Sequence, residues 1–127
     1  MTYTKPVEPI LFIEGGPIHT LKANGIIYAG QCLTAYGTME CDQAGNNDDA
    51  FVGVAMYDVA DNIDVAIAGP GNIVRVIPAC ATISKGDDIM CSGSEGKVAN
   101  ETLAAGTKIG VALEDAVVDV ATRVLLV

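Results

Sequence analysis

Val52-Gly53-Val54-Ala55-Met56-Tyr57-Asp58 is followed, 57 positions later, by Ile109-Gly110-Val111-Ala112-Leu113-Glu114-Asp115. A second match precedes each of these: Ala29-Gly30-Gln31-Cys32-Leu33 stands 56 positions before Lys85-Gly86-Asp87-Asp88-Ile89. The order is the same in both halves. A Gly-led apolar run comes first, then a Gly-containing turn, a variable stretch, the Gly-Val-Ala run, an acidic turn and a β-rich end. Two matches in one order at nearly one offset mark a duplicated supersecondary unit, whose halves bury their apolar faces against each other. The repeat covers about residues 29–77 and 85–127.

The segments inside each half read as strands. Ile63, Val65 and Ile67 alternate with smaller or polar residues, Ile73 to Ile77 is β-branched and stops at Pro78, and 120–127 forms a last apolar run. Turn signals separate them: Asn24-Gly25, which suits a tight hairpin, 44–49, Gly69-Pro70-Gly71 between neighbouring strands, and 92–96. Residues 98–106 alone invite a short helix, through Val98, Ala99, Leu103 and Ala104. The expected fold is all-β: a small β-barrel or β-sandwich-like domain built from two related β-rich halves. It spans 21–127, and an extended segment or arm, 1–20, precedes it. That arm lies outside the repeat and carries Pro6, Pro9 and Pro17 around the apolar run Ile10-Leu11-Phe12-Ile13, which reads as an edge strand.

The 127 residues fit one domain, and half of them are apolar, enough for a core without disulfides or metal. The four cysteines, Cys32, Cys41, Cys80 and Cys91, form no C-x-x-C pair and read as free thiols, although sequence does not fix pairing. Seven basic and sixteen acidic side chains give a net charge of −9, with the cations scattered. Nucleic-acid binding needs clustered Lys and Arg, so it is not expected. No apolar run is long enough for a membrane helix, and the N-terminus has no signal-like pattern.

The motifs of chemistry are missing. One histidine, His19, cannot build a multi-His metal site, and the cysteine spacings lack the close pairs of zinc motifs. Ser92-Gly93-Ser94-Glu95-Gly96-Lys97 matches neither a nucleophile elbow nor a phosphate loop and reads as a hairpin. Asp58, Asp61 and Asp64 follow the first Gly-Val-Ala run; Glu114, Asp115 and Asp119 follow the second. Their spacing is not that of a calcium loop, and they read as solvated turns. Neither catalytic residues, cofactor nor metal is expected; the chain does not read as an enzyme.

Lys85-Gly86-Asp87-Asp88-Ile89, then Gly93-Ser94-Glu95-Gly96-Lys97-Val98, then Ile109-Gly110-Val111-Ala112-Leu113-Glu114-Asp115-Ala116 form a series that resembles the decoration or cement proteins of tailed-virus capsids, in bacteriophages and proviruses. The likeness covers about residues 25–127 and departs from the pattern at 44–49 and in the four cysteines. The resemblance implies a virion protein on the capsid surface, made in the host cytoplasm, with the major capsid protein as partner. It also implies a homotrimer that stabilises capsomer junctions, with no small-molecule substrate. On that reading Tyr3, Pro6, Val7, Ile10, Leu11 and Phe12 are the candidate capsid or subunit contacts. Competing readings are another virion component, such as a tail or spike domain, a small ligand-binding β-barrel, and a carrier domain presenting Lys97 at a hairpin tip.

Overall fold

The structure is a computed structural model that describes residues 11–13, 18–45, 50–78, 83–92, 96–100, 108–117, 120 and 122–127. It is all-β, in two sheets. The first is a closed barrel of β2 (Ile18–Ala23), β3 (Cys32–Ala35), β4 (Glu40–Gln43), β5 (Phe51–Ala55) and β6 (Asp64–Ala68), in the order β2-β4-β3-β5-β6. The second is built from β1 (Leu11–Ile13), β7 (Ile73–Val76), β8 (Asp88–Ser92), β9 (Lys97–Asn100), β10 (Gly110–Ala112) and β11 (Thr122–Leu126), in the order β1-β7-β11-β10-β8-β9.

The duplication read from glycines extends to every strand pairing. Leu33 lies opposite Gly53, and Ile89 opposite Gly110. Ala55 lies opposite Ile67, and Ala112 opposite Val124. Ile18 lies opposite Ala68, and Ile73 opposite Leu125. Thus β2 to β6 correspond in order to β7 to β11, with register kept throughout. The barrel closes through the parallel pair β2·β4, Ala23 beside Cys41. In the second sheet the equivalent place holds an isolated parallel bridge of Pro78 with Val98, whose N–H donates to Ile77 O at 3.1 Å.

Burial follows the alternation of the strands. In β6 Val65 and Ile67 are buried; in β11 Thr122, Val124 and Leu126 are. Each fully buried Ile, Leu or Val contributes about 1.5–3 kcal/mol. One apolar cluster fills the first barrel around Ile27, Leu33, Val65 and Ile67. The larger cluster joins Cys32, Val54 and Ala68 of the barrel to Val74, Ile89, Cys91, Val98 and Leu126 of the second sheet. The halves therefore share a core, as the repeat requires.

The joint is polar as well. Cys32 N–H donates to Gly96 O at 2.8 Å, and Gly96 N–H to Ala44 O at 3.3 Å. Gly96 is buried with φ +70°, and a Cβ there would stand 2.8 Å from Cys32 O and 2.9 Å from Gln31 Cβ. Gly96, just before β9, is thus wedged against the first barrel.

Four local readings change. Gly25 does take a positive φ of +84°, but Asn24-Gly25 joins β2 to β3, and β4 lies between those strands, so the turn is not a hairpin. Gly69-Pro70-Gly71 connects β6 to β7, which belong to different sheets, so it is a crossover. Asn72, fully buried, pins it by donating from Nδ2 to Gly69 O at 3.0 Å. Ile63 falls before β6 and is 53% exposed. Lys97 to Asn100 are strand β9, because they pair with β8; of the helical reading, 101–106 lie outside the described residues.

Candidate functional site

Of the residues expected to touch a partner, Tyr3, Pro6, Val7 and Ile10 lie outside the described residues. Leu11 and Phe12 are in β1, where Leu11 lies opposite Val74 on β7. β1 ends the strand order of the second sheet, so one of its edges has no strand neighbour among the described residues. An edge of that kind offers backbone groups to another chain.

The acidic turns prove to be built into the repeat. Asp58 Oδ1 accepts from Ala29 N–H at 2.9 Å, and Asp115 Oδ1 accepts from Lys85 N–H at 2.8 Å. Ile27 N–H donates to Val59 O at 3.0 Å beside the first, and Ala116 N–H to Ile83 O at 2.9 Å beside the second. Asp61 Oδ1 serves Gly25 N–H at 2.7 Å. These carboxylates are committed to separate backbone donors, and no group of three His, Cys, Asp or Glu among the described residues is placed to hold a metal ion. Asp119 lies outside the described residues.

The thiols sit where catalysis has no access. Cys32, Cys41 and Cys91 are free and fully buried, and Cys80 is outside the described residues. The hydrogen bond with Cys91, together with burial, pushes the Cys32 thiol well up. Burial, with Asp42 beside it, pushes Cys41 up to about 11. Thiols held protonated in a core are poor nucleophiles. Lys97 is buried in β9 rather than carried on a tip, which removes the carrier-domain reading.

Two adjoining cavities lie along β2 of the first barrel. A cavity of about 360 Å³ is lined by His19, Leu21, Met39, Val52 and Ile67, with Thr20 at its rim. A second, of about 340 Å³, shares Thr20, Leu21 and Met39 and adds Lys22, Glu40 and Asp64. Side chains alternate across β2, so His19 and Leu21 face the barrel interior while Thr20 and Lys22 face out. The two cavities adjoin, one extending toward Val52 and Ile67 and the other toward Lys22, Glu40 and Asp64. Met39 stands between them, 70% exposed, with φ +58°. A left-handed residue other than Gly costs about 1–2 kcal/mol. The sequence gives no sign of this site, because its residues come from four separate strands or turns. The one available signal is that Met39 occupies the place of Gly96 in the repeat.

No family model matches the chain, and no curated protein matches it. Among solved structures, its fold is similar to that of the head fiber gp8.5 N base in bacteriophage phi29. The TM-score is 0.66 at 21% identity, over 87% of this chain and 93% of that one. At that identity the likeness is one of fold.

Proposed function

We propose that the chain is a structural component of a bacteriophage virion, held on the outside of the head, where it binds the major capsid protein without catalysing a reaction. The observation that carries the reading is the fold likeness to a phage head fiber base over nearly the whole of both chains. The construction supports it: a closed barrel and a six-stranded sheet of one strand design, a shared core, buried thiols and carboxylates used as turn braces. Such a body supplies position and surface, and many weak contacts multiplied by symmetry give a lattice protein its grip. In the finer form of the proposal the chain is a homotrimer that stabilises capsomer junctions, and its N-terminal segment, with Tyr3, Pro6, Val7, Ile10, Leu11 and Phe12, makes the contact.

The neighbour's own description as a head fiber favours a second form, in which the chain is the base of a longer appendage. Co-sedimentation with emptied heads of the source phage separates the two. A cement clamp binds at a copy number that tracks capsomers and raises the temperature at which the shell opens. A fiber base binds at fewer sites and leaves that temperature unchanged. Absence of binding to heads overturns both. Removal of residues 1–9 is expected to abolish binding while the circular dichroism of the β fold is kept.

A further inference from the structure

The two halves differ in one strand. On β7 the edge away from β11 is covered: β1 lies along it antiparallel, with Leu11 opposite Val74 and Ile13 opposite Ile73. By the register of the repeat, Ile73 and Val74 correspond to Ile18 and His19 of β2. The matching edge of β2 has no such strand among the described residues. β4 reaches only Lys22 and Ala23, and no other strand among the described residues lies along Ile18 to Leu21 on that side. Lys22 N–H points across this edge, donating to Met39 O at 3.0 Å. The period of two then aims the N–H and C=O of Thr20 into the same gap.

We propose that this gap is a strand-addition site for an extended segment of another protein, which pairs antiparallel with Ile18–Leu21 as β1 does with β7. The two cavities are the spaces for the two faces of the added strand. The inner one, walled by Leu21, Met39, Val52 and Ile67, takes apolar side chains. The outer one holds two carboxylates, Glu40 and Asp64, against one cation, Lys22, and neither carboxylate forms an ion pair among the described residues. The fitting partner therefore alternates apolar and polar residues, with Lys or Arg on the outer face. Backbone pairing supplies affinity and the alternate side chains supply selectivity. Met39, 70% exposed, lines both cavities. The inference goes beyond the virion reading and does not depend on it.

The probe is the capped peptide acetyl-Leu-Lys-Ile-Lys-Val-amide, whose apolar residues share one face of a strand and whose two Lys share the other, titrated into the ¹⁵N-labelled protein. Amide shifts are expected to concentrate at Ile18 to Lys22, Met39, Val52 and Ile67. A peptide with Glu in place of both Lys binds at least fivefold more weakly. Thr20→Pro removes the edge N–H at a position where a strand tolerates Pro, and weakens binding at least tenfold. The same peptide N-methylated at alternate amides tests the backbone pairing on the wild-type protein, and it too is expected to lose binding. Shifts elsewhere, no shifts at millimolar peptide, or equal binding of the N-methylated peptide overturn the proposal. A concentration-dependent dimer that disappears with Thr20→Pro overturns the foreign partner in favour of a second copy of this chain.

Discussion

Gly53 and Gly110 occupy the same point of the two halves, each with the carbonyl of the next strand standing where a Cβ would go. At Gly53, φ +149°, the added atom would fall on Ala68 O and Ile67 Cγ2. At Gly110 it would stand 2.6 Å from Leu125 O and 2.7 Å from Val124 Cγ1. The Gly-Val-Ala motif is thus the sequence mark of a close approach of β5 to β6, repeated between β10 and β11. Alanine at either position is expected to cost about 2–3 kcal/mol, at the upper end of overpacking. Urea denaturation checks it; a loss under 0.5 kcal/mol contradicts the crowding.

Asp58 and Asp115 brace equivalent loops, accepting from the backbone N–H of Ala29 and of Lys85. Alanine at either is expected to cost about 1 kcal/mol, the ordinary worth of such a bond. Asparagine, which keeps an acceptor oxygen, costs less. The two sites share no partner, so the double alanine variant loses the sum. Thermal or urea unfolding of the five variants reads this directly.

Glu114 answers a like-charge contact. Arg123 lies directly opposite Arg75 across β11 and β7. Arg123 donates from Nη2 to Glu114 Oε2 at 2.8 Å, from Nε to the same oxygen at 3.1 Å, and from its backbone N–H to Oε1 at 3.1 Å. The guanidinium hydrogen bond, with the backbone donor and the two Arg charges, outweighs burial and lowers the pKa of Glu114. A carboxylate lowered on folding stabilises above its unfolded value and loses that contribution as pH falls through the folded one. Both side chains are about a third exposed, so Glu114→Gln is expected to cost only about 1 kcal/mol at pH 7. The gap between wild type and variant closes as pH drops below about 4. Paired urea titrations across pH 2–7 test it; a gap that persists in acid assigns the loss to packing.

The native protein is expected to leave Cys32, Cys41 and Cys91 unmodified by a thiol-disulfide reagent at pH 8, and to modify all three once unfolded in urea. Burial and the raised thiol values act in the same direction. Peptide mapping after labelling identifies the sites, and rapid labelling of any of the three in the folded state contradicts its place in the core.

The sequence discloses the duplication because glycine is required wherever two backbones nearly touch, so Gly53 and Gly110 survive as a spaced pair. The acids after them are visible too, although their role as acceptors for Ala29 and Lys85 is not. Strand neighbours are hidden. Gly69-Pro70-Gly71 has the same composition whether it turns a hairpin or crosses between sheets, and the parallel pair of β2 with β4 joins segments that no local pattern links. The sequence reading divides β2 between an arm ending at 20 and a domain beginning at 21, and is silent about which of its edges is covered. The site along β2 depends on that edge and on Met39, whose left-handed backbone its residue type does not announce.

A chain that doubles one β unit begins with two copies of every surface, and they cannot stay alike once one copy leans on the other. Residues 39 and 96 started as the same position. Gly96 has been walled in by Gln31 and Cys32, so it is fixed by the molecule's own architecture. Met39 looks outward and answers only to whatever meets it. Among descendants of this duplication, position 96 should hold to glycine, whereas position 39 should change in step with the surface it meets.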